Sequence, residues 1–288
     1  MFQKKRTRMI FLILSILVLV AGGIYLYQDF YTLKEADLIL FMGQSNMSGA
    51  GGSAEEAPEL IKGAAYEYRA ITQPEELVVL EEPFGELEHK EGYLDDRGLV
   101  ERGGSLVTAF VNAYYKETKE RVVAVSASRG SAQISSFNNY LVEDVIERLE
   151  NAKQTMMEQQ VNIRHIYMVW FQGETDAYLE TPKEQYIGGM QKLLNTLQPY
   201  GVERCFVIQI GNVMMEGEKV DTRGMHEIQE TLCETDENFV LVSTLPKELS
   251  EPPYMEDGIH FTQKGLNAIG EDAGKQAGSY VKSVTEGR

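Results

Sequence analysis

Cysteine is scarce in this 288-residue chain. Cys205 and Cys233 are the only two, and they form neither a CxxC pair nor a zinc-ligand spacing. That sets aside zinc-ribbon and disulfide-scaffold folds. Cys205 opens a strand-like run and Cys233 ends a helix-like one, so in a parallel sheet both fall on the non-catalytic side. A disulfide is geometrically allowed there in an exported domain; the simpler reading is two half-buried free thiols. Positive charge is short as well. Lys and Arg number 27 against 44 Asp and Glu, a formal net charge of −17. Such a surface repels phosphate backbones and anionic lipid heads, so no nucleic-acid partner is expected. HExxH, GxSxG and P-loop patterns are missing, which argues against zinc peptidases, ordinary α/β-hydrolases and nucleotide enzymes. Internal repeats and low-complexity blocks are absent too.

One long apolar run is present, Met9 to Tyr27. As a helix it would span about 28 Å, close to the roughly 30 Å hydrocarbon core of a bilayer. Lys4, Lys5, Arg6 and Arg8 precede it with no acid among them, which keeps the N-terminus cytoplasmic and the remainder outside. A cleaved signal peptide competes, with Val20-Ala21-Gly22 as the cleavage site. The run continues through Ile24-Tyr25-Leu26-Tyr27, which favours an uncleaved anchor. The expected organisation is a basic tail over 1–8, an anchor over 9–27, a tether over 28–36 and one domain over 37–288. The domain would be extracytoplasmic, or secreted if the leader is removed. No cysteine near the segment serves a lipid anchor.

Five runs read as strands: Leu38–Met42, Val122–Ser126, Ile166–Phe171, Cys205–Ile210 and Phe239–Ser243. They are apolar nearly throughout, as strands of a parallel sheet covered on both faces are. Helical runs alternate with them over Ser105–Thr118, Leu141–Gln159, Arg223–Glu234 and Gln263–Val281. A further helix opens at a capping box, Thr181-Pro182-Lys183-Glu184, and runs to Leu197. The alternation predicts a doubly wound, flavodoxin-like three-layer α/β/α fold with a five-stranded parallel sheet. The stretch 50–100 is acidic and shows little periodicity, and it reads as an insertion over the catalytic edge.

Ligand sites in such sheets form beyond the carboxyl ends of strands. After the first strand comes Gly43-Gln44-Ser45-Asn46-Met47, a small glycine turn that lifts one hydroxyl to the sheet edge. A serine needs a base within reach, and the base needs an orienting acceptor. His260 is the best candidate base, with Asp257 three residues earlier in Asp257-Gly258-Ile259-His260. His89 lies in the charged insertion, His165 at the wrong sheet edge, and His226 beside Glu227 on a solvated helix face. Candidate donors to a developing oxyanion are the Ser45 N–H, an N–H at Gly103 or Gly104, and the Gln172 side chain. Gln44, Asn46 and Glu174 are expected to support the site, and Glu174 with Asp176 to organise it through buried hydrogen bonds. Trp170 is most simply core.

Three motifs, Gly43-Gln44-Ser45-Asn46-Met47, Gln172-Gly173-Glu174-Thr175-Asp176 and Asp257-Gly258-Ile259-His260, resemble those of the SGNH hydrolases. The nearest branch is the sialate O-acetylesterase and carbohydrate acetylesterase group, and the resemblance covers about residues 37–281. It implies Ser45 as nucleophile, His260 as base, Asp257 as its partner and Gln172 in the oxyanion hole. Gly103 matches the family's glycine donor, with Gly104 second. Departures are Gly104-Ser105 where Gly-Pro is usual, Thr175 within the QGE motif, and Arg129-Gly130-Ser131-Ala132.

The expected activity is removal of O-acetyl groups from a carbohydrate, sialate or acetylated polysaccharide, through an acetyl-enzyme. No cofactor is called for. Tyr66, Tyr68, Phe84 and Tyr93 are candidates to stack on sugar faces; packing the insertion onto the core is the plainer role for most of them. An ester of a cell-wall or lipid-linked glycan is the second reading, and a non-catalytic glycan-binding module the third.

Overall fold

The structure is a computed structural model, and it describes residues 33–86, 88, 102–215, 217–255 and 257–286. In chain order the elements are β1 (Glu35–Gly43), α1 (Ser45–Ser48), β2 (Ala65–Arg69), β3 (Gln73–Val79), α2 (Val107–Thr118), β4 (Val122–Ser128), α3 (Val142–Glu158), β5 (Asn162–Phe171), α4 (Glu174–Tyr178), α5 (Lys183–Leu197), β6 (Arg204–Ile208), β7 (Val213–Met215), β8 (Glu218–Val220), α6 (Arg223–Thr235), β9 (Phe239–Ser243) and α7 (Gln263–Glu286). Glu35 to Arg288 makes one compact unit.

The fold is α/β with a mostly parallel sheet in the order β3-β2-β4-β1-β5-β6-β9. β1 lies at its centre, and Ala36 to Met42 are wholly buried. The apolar run buries both of its faces because helices cover both. Ile39 and Phe41 pack with Phe110 and Tyr114 of α2 and with Ile269 and Ala273 of α7. Gly274 lets α7 press onto α2, since a Cβ there would stand 2.2 Å from the Phe110 carbonyl oxygen. On the opposite face Trp170 of β5 meets α5, its indole N–H donating to the Tyr186 hydroxyl.

The sheet has seven strands, two more than the five expected. The extra pair, β2 and β3, comes from the stretch read as an insertion over the catalytic edge. β2 is parallel to β4, and β3 returns antiparallel at the edge. Their signal is weak for physical reasons. Glu67 occupies a core position in β2, bonded to Arg69 and to the Gly85 N–H. β3 is largely exposed and shows no apolar face. Tyr68 and Phe84 are buried in this region, so they pack the core and do not face solvent. Tyr93 and His89 lie outside the described residues.

One further correction is local. The helix expected to open at a Thr181 capping box starts at Lys183 with no side-chain cap. The Thr181 hydroxyl donates instead to Asp176 at 2.8 Å. Cys205 and Cys233 are both free thiols, Cys205 fully buried. The anchor expected over 9–27 lies outside the described residues, with the basic tail and most of the tether. Among the described residues no helix is long and apolar enough to cross a membrane.

Candidate active site

Strand register brings the site's parts to one edge. Gly43 pairs with Ser128 on one side and Phe171 on the other, so β1, β4 and β5 end level. The chain passes to opposite sides of β1 on its way to β4 and β5, and this is the switch point where such sheets bind ligands. Gly43 has φ 147°. A Cβ on it would stand 2.1 Å from the Phe171 carbonyl oxygen. Glycine therefore allows β1 to turn while still held against β5. Gln44 N–H donates to that same oxygen at 3.1 Å. Ser45 follows as the first residue of α1, so its own N–H lies in the first turn, without an intrahelical acceptor.

The base arrives from 215 residues away. His260 Nε2 lies 2.9 Å from Ser45 Oγ. Its Nδ1 lies 2.7 Å from Asp257 Oδ2. Asp257 Oδ1 accepts the N–H groups of Ile259 and His260 at 2.8 and 2.6 Å, which curls the loop around the carboxylate. Burial raises the Asp257 pKa, but the His260 ring and these two N–H groups outweigh it and hold the carboxyl at about 2. Gly258, at φ 80°, makes the sharp turn and accepts the Met214 N–H at 2.8 Å. Phe261 is fully buried, its ring stacked on Phe171 at 6.2 Å, and it pins the far end of the loop.

Asn46 fastens this loop to β1. Its side-chain amide donates to Glu174 Oε1 at 2.7 Å and to the Ile259 carbonyl at 3.0 Å. Its Oδ1 accepts the Phe261 N–H at 3.1 Å. The residues on either side of His260 are thus tied to the residue after Ser45. Glu174 is buried, and burial pushes its pKa up. Its Oε2 has no hydrogen-bond partner among the described residues. Gln44 completes the support: its Oε1 accepts the N–H groups of Gly173 and Thr175 at 3.4 and 3.3 Å. Replacing Asn46 with alanine is expected to lower kcat on the order of 10²-fold, because small misplacements of a base are that costly. Losing the Asn46 donor to the buried Glu174 carboxylate should cost roughly 1–3 kcal/mol in addition. Steady-state kinetics beside thermal unfolding checks both; an unchanged kcat would remove Asn46 from the positioning of His260.

Two of the expected oxyanion donors are committed elsewhere. Gln172 is fully buried, and its amide donates to the Ala132 carbonyl at 3.0 Å and to Asp176 Oδ2 at 2.6 Å. Its Oε1 accepts the Tyr186 hydroxyl at 3.1 Å. Both N–H donors of that amide are used, so Gln172 organises the β5–α4 turn and has none left for a substrate. Gly103 N–H donates to the Gly49 carbonyl at 3.2 Å. Gly104 packs on the same turn, its carbonyl oxygen 2.0 Å from where a Cβ on Gly52 would stand. The Ser45 N–H remains, and no backbone bond of this kind engages the Gly104 N–H among the described residues.

The other histidines stand apart. His165 pairs with Glu203 at 3.0 Å near the start of β5. His226 is half-buried and not solvated as expected; its Nε2 is buried without a partner among the described residues. Burial lowers its pKa. Among the described residues no group of three His, Cys, Asp or Glu is placed to hold a metal ion.

Comparison with known proteins bears on this geometry. The family described as "Carbohydrate esterase, sialic acid-specific acetylesterase" matches residues 35–279. No curated protein sequence matches the chain. Solved structures do share its fold. A protein of Arabidopsis thaliana is similar at 20% identity and TM-score 0.61, over 85% of this chain and 98% of that one. NanS is similar at 11% identity and TM-score 0.55, over 89% and 99%. XAC1771, a carbohydrate acetylesterase from Xanthomonas citri, is similar at 13% identity and TM-score 0.52, over 88% of this chain and 57% of that one.

Proposed function

We propose a mechanism on one premise: the chain belongs to the sialic acid-specific acetylesterase family of carbohydrate esterases. It is a carbohydrate acetylesterase, and in our proposal it works as a serine enzyme. The observation that carries this is the unbroken line from Asp257 Oδ2 through both ring nitrogens of His260 to Ser45 Oγ, at 2.7 and 2.9 Å.

Ser45 Oγ attacks the acetyl carbonyl carbon while His260 Nε2 takes the hydroxyl proton. Asp257 keeps the Nδ1–H tautomer and stabilises the imidazolium. The negative oxygen of the tetrahedral intermediate is met by the Ser45 N–H. Collapse breaks the bond to the sugar oxygen, which leaves with the proton from His260. The acetyl group now sits on Ser45. Water attacks it, His260 takes the water proton and returns it to Ser45, and acetate departs.

The test is acetate release from acetylated carbohydrate by the full chain and by its Ser45→Ala variant. Turnover in the parent and loss of at least ~10³-fold in the variant are expected. Equal, negligible release from two folded proteins would favour a non-catalytic glycan-binding module.

The apolar run over 9–27 anchors this domain outside the membrane in our proposal, with Lys4, Lys5, Arg6 and Arg8 held inside. Fractionating cells that express the full chain, beside one lacking residues 1–32, checks it. A membrane-bound parent and a soluble truncation are expected; a parent recovered clipped and soluble would replace the anchor with a cleaved leader.

A further inference from the structure

Two segments face each other across a groove of about 420 Å³. One is the end of α4, with Tyr178 and Glu180. The other is β8 and the turn after it, Glu218 to Asp221. Both walls are extensions of the site. Tyr178 lies one helical turn past Glu174, roughly 6 Å along the helix, and Glu174 is bonded to Asn46. β8 pairs with β7, where Met214 opposes Lys219. Met214 in turn donates its N–H to Gly258, next to Asp257. Each wall is thus tied to the site, one through Glu174 to Asn46 and the other through Met214 to the loop that carries His260.

Its surface has a definite chemistry. Tyr178, which lines the groove, is 42% exposed; Leu179, the next residue, and Met214, opposite Lys219, are 50% and 45% exposed. An exposed aromatic ring offers a flat apolar face with a polar tip. Glu180, Glu218 and Asp221 supply acceptors suited to hydroxyl groups. Lys219 is the cation lining the groove, and Asp221 is paired with Arg223 at 2.6 Å. The balance stays negative, on a chain of net charge −17. Such a wall repels a carboxylate-bearing sugar and accepts an uncharged one.

We infer that this groove binds the neutral sugar units that continue from an acetylated unit placed at Ser45. The substrate is then an uncharged O-acetylated oligosaccharide or polysaccharide, and Tyr178 is its stacking platform. This rests on the esterase mechanism proposed above and narrows its substrate class.

The experiment uses the full chain in the Ser45→Ala background, where binding is read without turnover, and the Ser45 parent for kinetics. Calorimetric titration with a neutral acetylated xylo-oligosaccharide is expected to show binding that Tyr178→Ala weakens about tenfold. In the active protein Tyr178→Ala should raise KM for that substrate about tenfold and change kcat less than twofold. An O-acetylated sialoside should react more slowly than the neutral substrate at low salt, and the gap should narrow as salt screens the wall. Glu180→Lys with Glu218→Lys should narrow it as well. Undiminished binding in Tyr178→Ala, or a sialoside preferred at low salt, would overturn the inference while leaving the triad untouched. If turnover proved independent of Ser45, the mechanism would fall instead, and the titration would still report on the groove.

Discussion

Asp257→Asn is expected to cost about 10⁴-fold in acetyl turnover and to leave the fold intact. The carboxylate does two jobs. Oδ1 holds the loop through the Ile259 and His260 N–H groups, and an asparagine oxygen can still accept both. Oδ2 faces His260 Nδ1 at 2.7 Å and requires a proton there. An asparagine NH₂ in that place donates to Nδ1 and drives the ring proton to Nε2. The nitrogen facing Ser45 would then be a donor and could not take the hydroxyl proton. The parent and variant should therefore unfold at similar temperatures and differ in kcat. Loss of structure with loss of activity would mean that the loop, and not the tautomer, depends on this charge.

The same group sets a pH expectation. Its pKa in the folded chain is depressed to about 2 from an ordinary value of 3.8. Its contribution to stability is therefore present above about pH 4 and is lost as pH falls through 2. Asp257 stays ionised through the range of any ordinary assay, so a fall in activity above pH 4 would have another source.

Gly43→Ala is the second large effect, and it acts on the fold. An added methyl would sit 2.1 Å from the Phe171 oxygen and 2.7 Å from its carbonyl carbon. Those atoms belong to the backbone of a central strand and cannot swing aside. Relief requires β1 to part from β5 at the end where Ser45 is carried. The backbone also holds φ 147°, which L side chains rarely adopt. A loss on the order of 4 kcal/mol or more, or failure to fold, is expected. Denaturant unfolding measures it. A variant of near-parental stability would show that the turn tolerates a side chain.

Much of this was legible in residue pattern, and the exceptions share a cause. The five apolar strands announce themselves because both faces are buried, which removes the polar alternation that blurs a strand. β9 is the clearest case, since Phe239–Ser243 has the same bounds in sequence and structure. β2 was hidden by Glu67, a charge at a core position whose partners Arg69 and Gly85 are visible only in three dimensions. β7 and β8, three residues each, are too short for periodicity to register. At the site, Ser45 and the Asp257–His260 pair stand out because strand–turn–helix and DxxH are local patterns. Gln172 and Thr181 take partners that local pattern does not show, because a polar group's partner is chosen by tertiary packing. Asp176 accepts from both, and no local rule places it there. The latch made by Asn46 spans 128 residues to Glu174 and 215 to Phe261, beyond the reach of any local motif.

The most direct measurement is to trap the acyl-enzyme. The full chain would be mixed with an activated acetyl ester, quenched in acid within one turnover, digested and mapped by mass. One acetyl group on the peptide that carries Ser45, absent from Ser45→Ala and strongly diminished in His260→Ala, is the predicted result. Continued acetate release by Ser45→Ala, or an acetyl group found only on another residue, would contradict the assignment of Ser45 as nucleophile and with it the mechanism.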